Sequence, residues 1–283
     1  MVTIRPTGAA LGADVEGIDL SRPIGHESFA EIRRAWTDHL VLRFRGQALT
    51  DNDLARFSRM FGALDKAPKH AERALENTTA AGYINVISNV VENGKPIGSL
   101  GSGEAVWHTD MSYNDLPPAA SALYALEVPP SGGDTSFCNM HLAHDTLPAE
   151  TKRRIAGLVC VHDASTTSAG GLRQGFKAVA DPRETVGAAH PVVRTHPVTG
   201  RKALFLGRRR NAYIPGIDLA DSEALLDGLW EHAARPEHAW SQRWRAGDLV
   251  MWDNRCTMHR RDEFDPDSRR VMHRTQISGD RPF

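Results

Sequence analysis

Gly247-Asp248-Leu249-Val250-Met251-Trp252-Asp253-Asn254-Arg255-Cys256-Thr257-Met258-His259-Arg260 carries an apolar run, a polar turn and a histidine in immediate succession. Asp248 to Trp252 reads as a strand, which reaches a turn and then presents His259. Comparable short runs recur from Tyr83 onward. The clearest are Tyr83-Ile84-Asn85-Val86-Ile87, Ser121 to Val128, Ala203 to Leu206 and Val271 to Ile277. Gly, Pro, Asn and Asp clusters separate them, as in a sandwich or barrel. Before Tyr83 the pattern is mixed. Phe29, Ile32, Trp36 and Leu40 have helical spacing, Val41-Leu42-Arg43-Phe44 reads as a strand, and Thr50 with Asp53 forms a capping-box pattern opening a helix through about residue 60. Further helices are expected near 140–158, with Pro148 in a first turn, and near 221–234. The expected fold is mainly β with flanking helices, and double-sheet jelly rolls of this kind leave a cavity between the sheets.

Composition narrows the function. The chain has 283 residues, 41% of them hydrophobic, enough for a sizeable core, and its formal net charge is −1. A general nucleic-acid binder would carry a basic excess. No run approaches the roughly 18 apolar residues of a membrane span, and the N-terminal residues lack a signal peptide's apolar stretch. Cys138, Cys160 and Cys256 are odd in number and widely spaced, so they read as reduced thiols in a cytoplasmic protein. There is no repeat or low-complexity segment, and a single domain spanning 1–283 is the simpler reading.

The chemistry centres on His108-Thr109-Asp110. Two residues apart on an extended chain, His108 and Asp110 share a face. With His259 from a distant strand they would place two imidazoles and one carboxylate on one side of a metal. Such a set leaves the other positions open, as in non-haem Fe(II) oxygenases. Other histidines have plainer readings: His190 and His196 beside prolines as structural, His26, His39, His144, His232 and His238 as surface residues.

Five blocks carry a resemblance across nearly the whole chain. They are Trp107-His108-Thr109-Asp110, Pro130-Ser131-Gly132-Gly133-Asp134-Thr135, Val193-Arg194-Thr195-His196-Pro197, Trp252-Asp253-Asn254-Arg255 and Arg269-Arg270-Val271-Met272-His273-Arg274. In this order the chain resembles the taurine dioxygenase and 2,4-dichlorophenoxyacetate dioxygenase (TauD/TfdA) family of Fe(II)/2-oxoglutarate enzymes. The resemblance implies a double-stranded β-helix (jelly roll, cupin-like) core. It implies His108, Asp110 and His259 as iron ligands, with 2-oxoglutarate as co-substrate and O2 as oxidant. Arg270 and Thr135 match the positions that hold the co-substrate's distal carboxylate, for which a guanidinium's planar fork is suited. Arg269, its neighbour on an alternating strand, would face the other way.

The same resemblance places Arg274 on the substrate's anionic group. His70 matches a substrate-contacting histidine. Glu104 stands where the taurine enzyme has an asparagine; in the cavity its charge would meet an ammonium group, while the plainer reading leaves it in the glycine-rich stretch 98–103 facing solvent. Tyr113 and the run Arg208-Arg209-Arg210 complete the candidates: the plain reading of the run is a solvated basic turn, the sharper one that Arg209 or Arg210, with Tyr213, adds an anion contact. The expected activity is hydroxylation of a small anionic or zwitterionic molecule, carboxylate or sulfonate, releasing succinate and CO2. Alternatives are desaturation or cyclisation of an amino-acid-like intermediate by the same oxidant, and a non-catalytic cupin-like binding protein. The segments 90–103 and 163–189 are glycine-rich and read as lids. Relatives form dimers or tetramers, so a homo-oligomer is also expected.

Overall fold

The strand Ala120–Glu127 organises the larger of two sheets. It pairs antiparallel with Leu249–Asp253 on one side and with Val271–Ile277 on the other. The full order in this sheet is Thr3–Pro6, Ala13–Glu16, Val41–Phe44, Leu249–Asp253, Ala120–Glu127, Val271–Ile277, Asn85–Ser88. These observations come from a computed structural model, which describes residues 2–67, 80, 82–207 and 210–283. The second sheet runs Ala239–Gln242, Thr135–Asn139, Thr257–Arg261, Ala105–His108.

Register decides which side chains meet. Val250, Leu123, Arg274 and Asn85 lie directly across from one another in adjacent strands, and Trp252, Ser121 and Gln276 form the next row. Alternation sends both rows to one face and the intervening residues to the other. On the second face Leu42, Met251, Ala122 and Tyr124 pack beneath two helices, His26–His39 and Asp51–Arg59. The first helix buries Ile32, Ala35 and Trp36, and the second buries Leu54, Ala55 and Phe57. On the first face Leu123, Ala125, Val250 and Trp252 share a core with Phe137, Cys138 and Met258 of the smaller sheet. The two sheets therefore close over a common interior. The fold is the expected mainly β, cupin-like jelly roll with helices outside.

Most element positions agree with the sequence reading to within two residues. The region 140–158 differs. It holds two short helices, Met140–Asp145 and Ala149–Ile155, with Pro148 as the cap before the second rather than inside its first turn. His232 and His238 are also not surface residues. Both are buried, and both ring Nε2 atoms meet the Thr146 hydroxyl, at 3.1 and 3.0 Å. No helix of the described residues is long and apolar enough to cross a membrane.

The capping box at Thr50 is present in full. The Thr50 hydroxyl accepts from the Asp53 amide and the Asp53 carboxylate accepts from the Thr50 amide. Thr50→Ala removes one half of it. The expected cost is about 1 kcal/mol, a fall in Tm of roughly 2–4 °C for a chain of this size. Thermal unfolding followed by circular dichroism reads it; an unchanged midpoint would show that the cap contributes nothing.

Candidate active site

His108 ends the strand Ala105–His108, Asp110 begins the turn that follows, and His259 sits in the middle of Thr257–Arg261. The strands pair so that His259 faces His108, and a bulge then offsets Arg261 against Ala105. Bulges of this kind re-aim side chains. The His108 and His259 rings lie 4.2 Å apart, and their Nε2 atoms stand 3.8 and 3.9 Å from the Asp110 Oδ1. The three donor atoms lie within 4.8 Å of one another, all three residues are buried, and such a group could hold a metal ion.

Each donor is held in place. The His108 Nδ1 lies 2.7 Å from the Val106 carbonyl, to which only a protonated nitrogen can donate; this leaves Nε2 as the lone-pair atom. Asn254 clamps the Asp110 backbone on both sides: its Oδ1 accepts from the Asp110 amide at 2.9 Å, and its Nδ2 donates to the Asp110 carbonyl at 3.0 Å. The Ser121 hydroxyl donates to Asp110 Oδ2 at 2.8 Å, and Arg274 Nη1 reaches both carboxylate oxygens at 3.2 Å. Burial opposes ionisation of Asp110. Arg274, then His259 and His108, then the Ser121 hydroxyl, overcome it and hold the carboxyl well below the usual range. Trp252 packs on the His259 ring at 4.8 Å.

The donors open onto a cavity of about 790 Å³. Its far end is cationic. Arg270 is 2% exposed, and its Nε has no hydrogen-bond partner among the described residues. Burial and then the neighbouring charge of Arg261 lower its pKa to about 9, with Asp134 opposing. Even so a guanidinium stays protonated at neutral pH; the shift records a buried cation short of a counter-ion. Arg269 points the other way, exposed and paired with Glu127 at 2.6 Å. Thr135 lies beside Arg261 in register and lines the same space, its hydroxyl oxygen accepting from the Trp244 indole at 2.9 Å. That leaves the Thr135 proton available to a ligand. Gly132, at φ +73°, makes this turn possible, because a Cβ there would stand 2.6 Å from the Glu263 carbonyl.

The substrate candidates are divided by the structure. Arg274 and Tyr113 line the cavity. Glu104 does not: it is exposed and pairs with Arg260 at 3.3 Å, so its charge is met at the surface. Arg210 is also exposed, its Nη1 donating to the Gly170 carbonyl at 3.3 Å, and it does not line the cavity. Outward-facing partners thus satisfy both side chains. His70, Arg208 and Arg209 lie outside the described residues. His162 packs against His190 and Phe205 rather than on the cavity wall.

Sequence reasoning passed over three cationic residues of the cavity. Arg261 was findable, because it lies two residues beyond His259 on one strand and must share its face. Lys66 gave no periodic signal. Nor did Arg173, whose guanidinium sits 4.0 Å above the Tyr113 ring. A second close group, His196, Asp253 and Cys256, is better explained as an ion-pair network. Arg255 takes both oxygens of Asp253, and His196 Nε2 lies 3.0 Å from one of them.

Comparison with known proteins gives a consistent result. Residues 3–276 match the taurine catabolism dioxygenase TauD, TfdA family. The chain is 35% identical to the alpha-ketoglutarate-dependent 2,4-dichlorophenoxyacetate dioxygenase of Cupriavidus pinatubonensis, covering 99% of this chain and 98% of the relative. It is 33% identical to the (S)-phenoxypropionate/alpha-ketoglutarate-dioxygenase of Delftia acidovorans, over 98% of this chain and 94% of the relative. Among solved structures it is similar to AAD-2 in complex with Mn(II) and N-oxalylglycine, with a TM-score of 0.81, 33% identity, and coverage of 100% of this chain and 99% of that one.

The Ser121 hydroxyl touches Asp110 without being one of the three donors. Ser121→Ala is expected to weaken Fe(II) binding about 10–100-fold, the usual effect of losing a group that orients a ligand, with the fold retained. Anaerobic metal titration checks this; unchanged affinity would mean that the hydroxyl does not orient the carboxylate.

Proposed function

Because the chain belongs to the TauD/TfdA family and is thereby an Fe(II)- and 2-oxoglutarate-dependent dioxygenase, we propose that it hydroxylates a small organic acid with an apolar body. His108, Asp110 and His259 hold the iron in this reading. The donor set fits that metal: two neutral imidazoles and a carboxylate on one side, with a cavity on the other. The observation that carries the reading is the buried Arg270. A buried cation with no ion-paired carboxylate among the described residues calls for an anionic ligand. Arg270 and the Thr135 hydroxyl take the distal carboxylate of 2-oxoglutarate. When bound, Fe(II) would let O2 serve as the oxidant, with 2-oxoglutarate giving two electrons as it becomes succinate and CO2 and the substrate C–H giving two, one oxygen atom passing to succinate and one to the product.

The remaining work falls to positioning. Arg274 takes the acid group of the substrate, while its Nη1 stays beside Asp110. Ile87, Met111, Leu123, Leu172 and Phe176 line the cavity and suit an apolar body. The two relatives named for phenoxyacetate and phenoxypropionate substrates support an acid of this kind. Glu104, paired at the surface, offers nothing to an ammonium group, so the case for a zwitterion loses its support. No side chain needs to act as a general base. The protein holds one C–H bond against the metal and keeps water out.

Two measurements test this. Arg270→Ala should raise the dissociation constant for 2-oxoglutarate by about 10–100-fold, the value of a lost charge-assisted contact of roughly 1.5–3 kcal/mol; a change under twofold would remove Arg270 from the role. A succinate-release screen over aryloxy acids, alkyl sulfonates and amino acids should respond to the aryloxy acids or sulfonates. A response confined to amino acids would overturn the substrate class.

A further inference from the structure

Arg261 is buried in the cavity wall, one row from the His108–His259 pair and directly across from Thr135. It pairs with no carboxylate among the described residues. Its Nη1 donates to the Leu100 carbonyl at 2.9 Å and its Nη2 to the Gly103 carbonyl, while its Nε has no partner among the described residues. Its guanidinium and that of Arg270 both approach the Phe264 ring, at 5.4 and 5.9 Å. The proposed co-substrate end therefore holds two buried cations against one aromatic ring. Among the described residues, Arg261 is the one of the two whose side chain donates to another part of the chain.

That part is the segment leading into the strand of His108. It contains Gly101 and Gly103, around which a Cβ would find open space, and Leu100 in the left-handed region at φ +69°. Packing holds its start, where Gly98 lies close against Val86 and Leu100 packs on the core, and contributes little from Gly101 to Glu104. Ser99 is tied to Val86 and Ser88 by backbone hydrogen bonds, and the Ser102 carbonyl accepts from the Phe264 amide. The Leu100 and Gly103 carbonyls are held by Arg261.

We propose that Arg261 is a positioning residue that couples co-substrate binding to the order of residues 98–104. The proposal rests on the reading of this cavity end as the 2-oxoglutarate site. With the site empty, two like charges face each other in a low-dielectric space. A carboxylate between them removes that repulsion and fixes both guanidinia. Arginine suits the task because its five N–H groups fork in one plane, so it can hold two carbonyls and still offer Nε to an anion. Lysine, with a single point of donation, cannot span the same three acceptors.

The test uses the full chain loaded with Fe(II) under anaerobic conditions, with 2-oxoglutarate as the probe. Affinity is read by calorimetry and the order of 98–104 by amide hydrogen exchange. In the wild-type protein, 2-oxoglutarate should slow exchange in 98–104 by about tenfold or more, as expected when local opening is suppressed by roughly 1.4 kcal/mol. Arg261→Lys should keep 2-oxoglutarate affinity within a few-fold and lose that slowing. Arg261→Met should lose both, binding about tenfold or more weakly because a charged contact is gone. The proposal is overturned if 2-oxoglutarate leaves wild-type exchange in 98–104 unchanged, or if Arg261→Lys responds like wild type. Wild-type affinity in Arg261→Met would overturn it as well. The wild-type exchange result stands even if a variant fails to fold. Arg270→Ala separates the two readings: if it binds 2-oxoglutarate normally, the site assignment fails, whereas if it binds poorly while the Arg261 variants behave as wild type, only the coupling fails.

Discussion

Removing a carboxylate from water is costly unless charges and donors replace the lost hydration, and the Asp110 carboxylate is 5% exposed at the centre of this protein. Its compensation comes from separate strands: Ser121 and Arg274 from the larger sheet, His108 and His259 from the smaller. None of these groups is near Asp110 by chain proximity except His108. The two sheets must be in register, and closed on each other, for the carboxylate to remain ionised. The architecture and the donor cluster are thus one constraint seen from two sides. A one-residue slip in the strand Val271–Ile277 would send Arg274 to the helix-packed face and leave Asp110 with a far weaker set of partners.

The same logic applies to the opposite end of the cavity with the sign reversed. There the buried groups are cations, and no carboxylate of the described residues pairs with Arg261 or Arg270. Burial lowers both guanidinium pKa values, to about 10 and about 9, with Arg261 adding to the effect on Arg270. In the proposed reading, the anion that relieves this unfavourable arrangement arrives as a ligand. At the donor cluster an ionised carboxylate lies between two imidazoles, with Arg274 as its paired cation, whereas Arg261 and Arg270 are positive charge with no paired carboxylate among the described residues. In the proposed reading a metal ion completes the first group and a dicarboxylate the second.

The sequence made a large part of this legible. Strands buried on one face announce themselves by short apolar runs, and Val271–Ile277 was placed to the residue because its ends are marked by charged or Gly-rich flanks. The Thr50–Asp53 box fixed a helix start for the same reason: its signal is local. His108 and Asp110 share a face by two-residue spacing, and Arg269 and Arg270 diverge by one-residue spacing. What the sequence concealed was the third dimension of its glycine-rich stretches. The glycine-rich setting of Glu104 already allowed a solvent-facing side chain, but nothing in 98–104 indicates Arg260 as its partner, because that pairing joins residues 156 positions apart. Arg173 was hidden similarly, in a segment without period. Arg261 was legible by contrast, since strand alternation places it on the same face as His259, two residues earlier.

The most direct test of the account is a crystal structure of the protein with Mn(II) and N-oxalylglycine, the pair present in the similar AAD-2 complex. The account predicts one metal ion coordinated by His108, Asp110 and His259, with the distal carboxylate of N-oxalylglycine between Arg270 and the Thr135 hydroxyl. A metal bound elsewhere, or an inhibitor whose distal carboxylate lies away from Arg270, would contradict it.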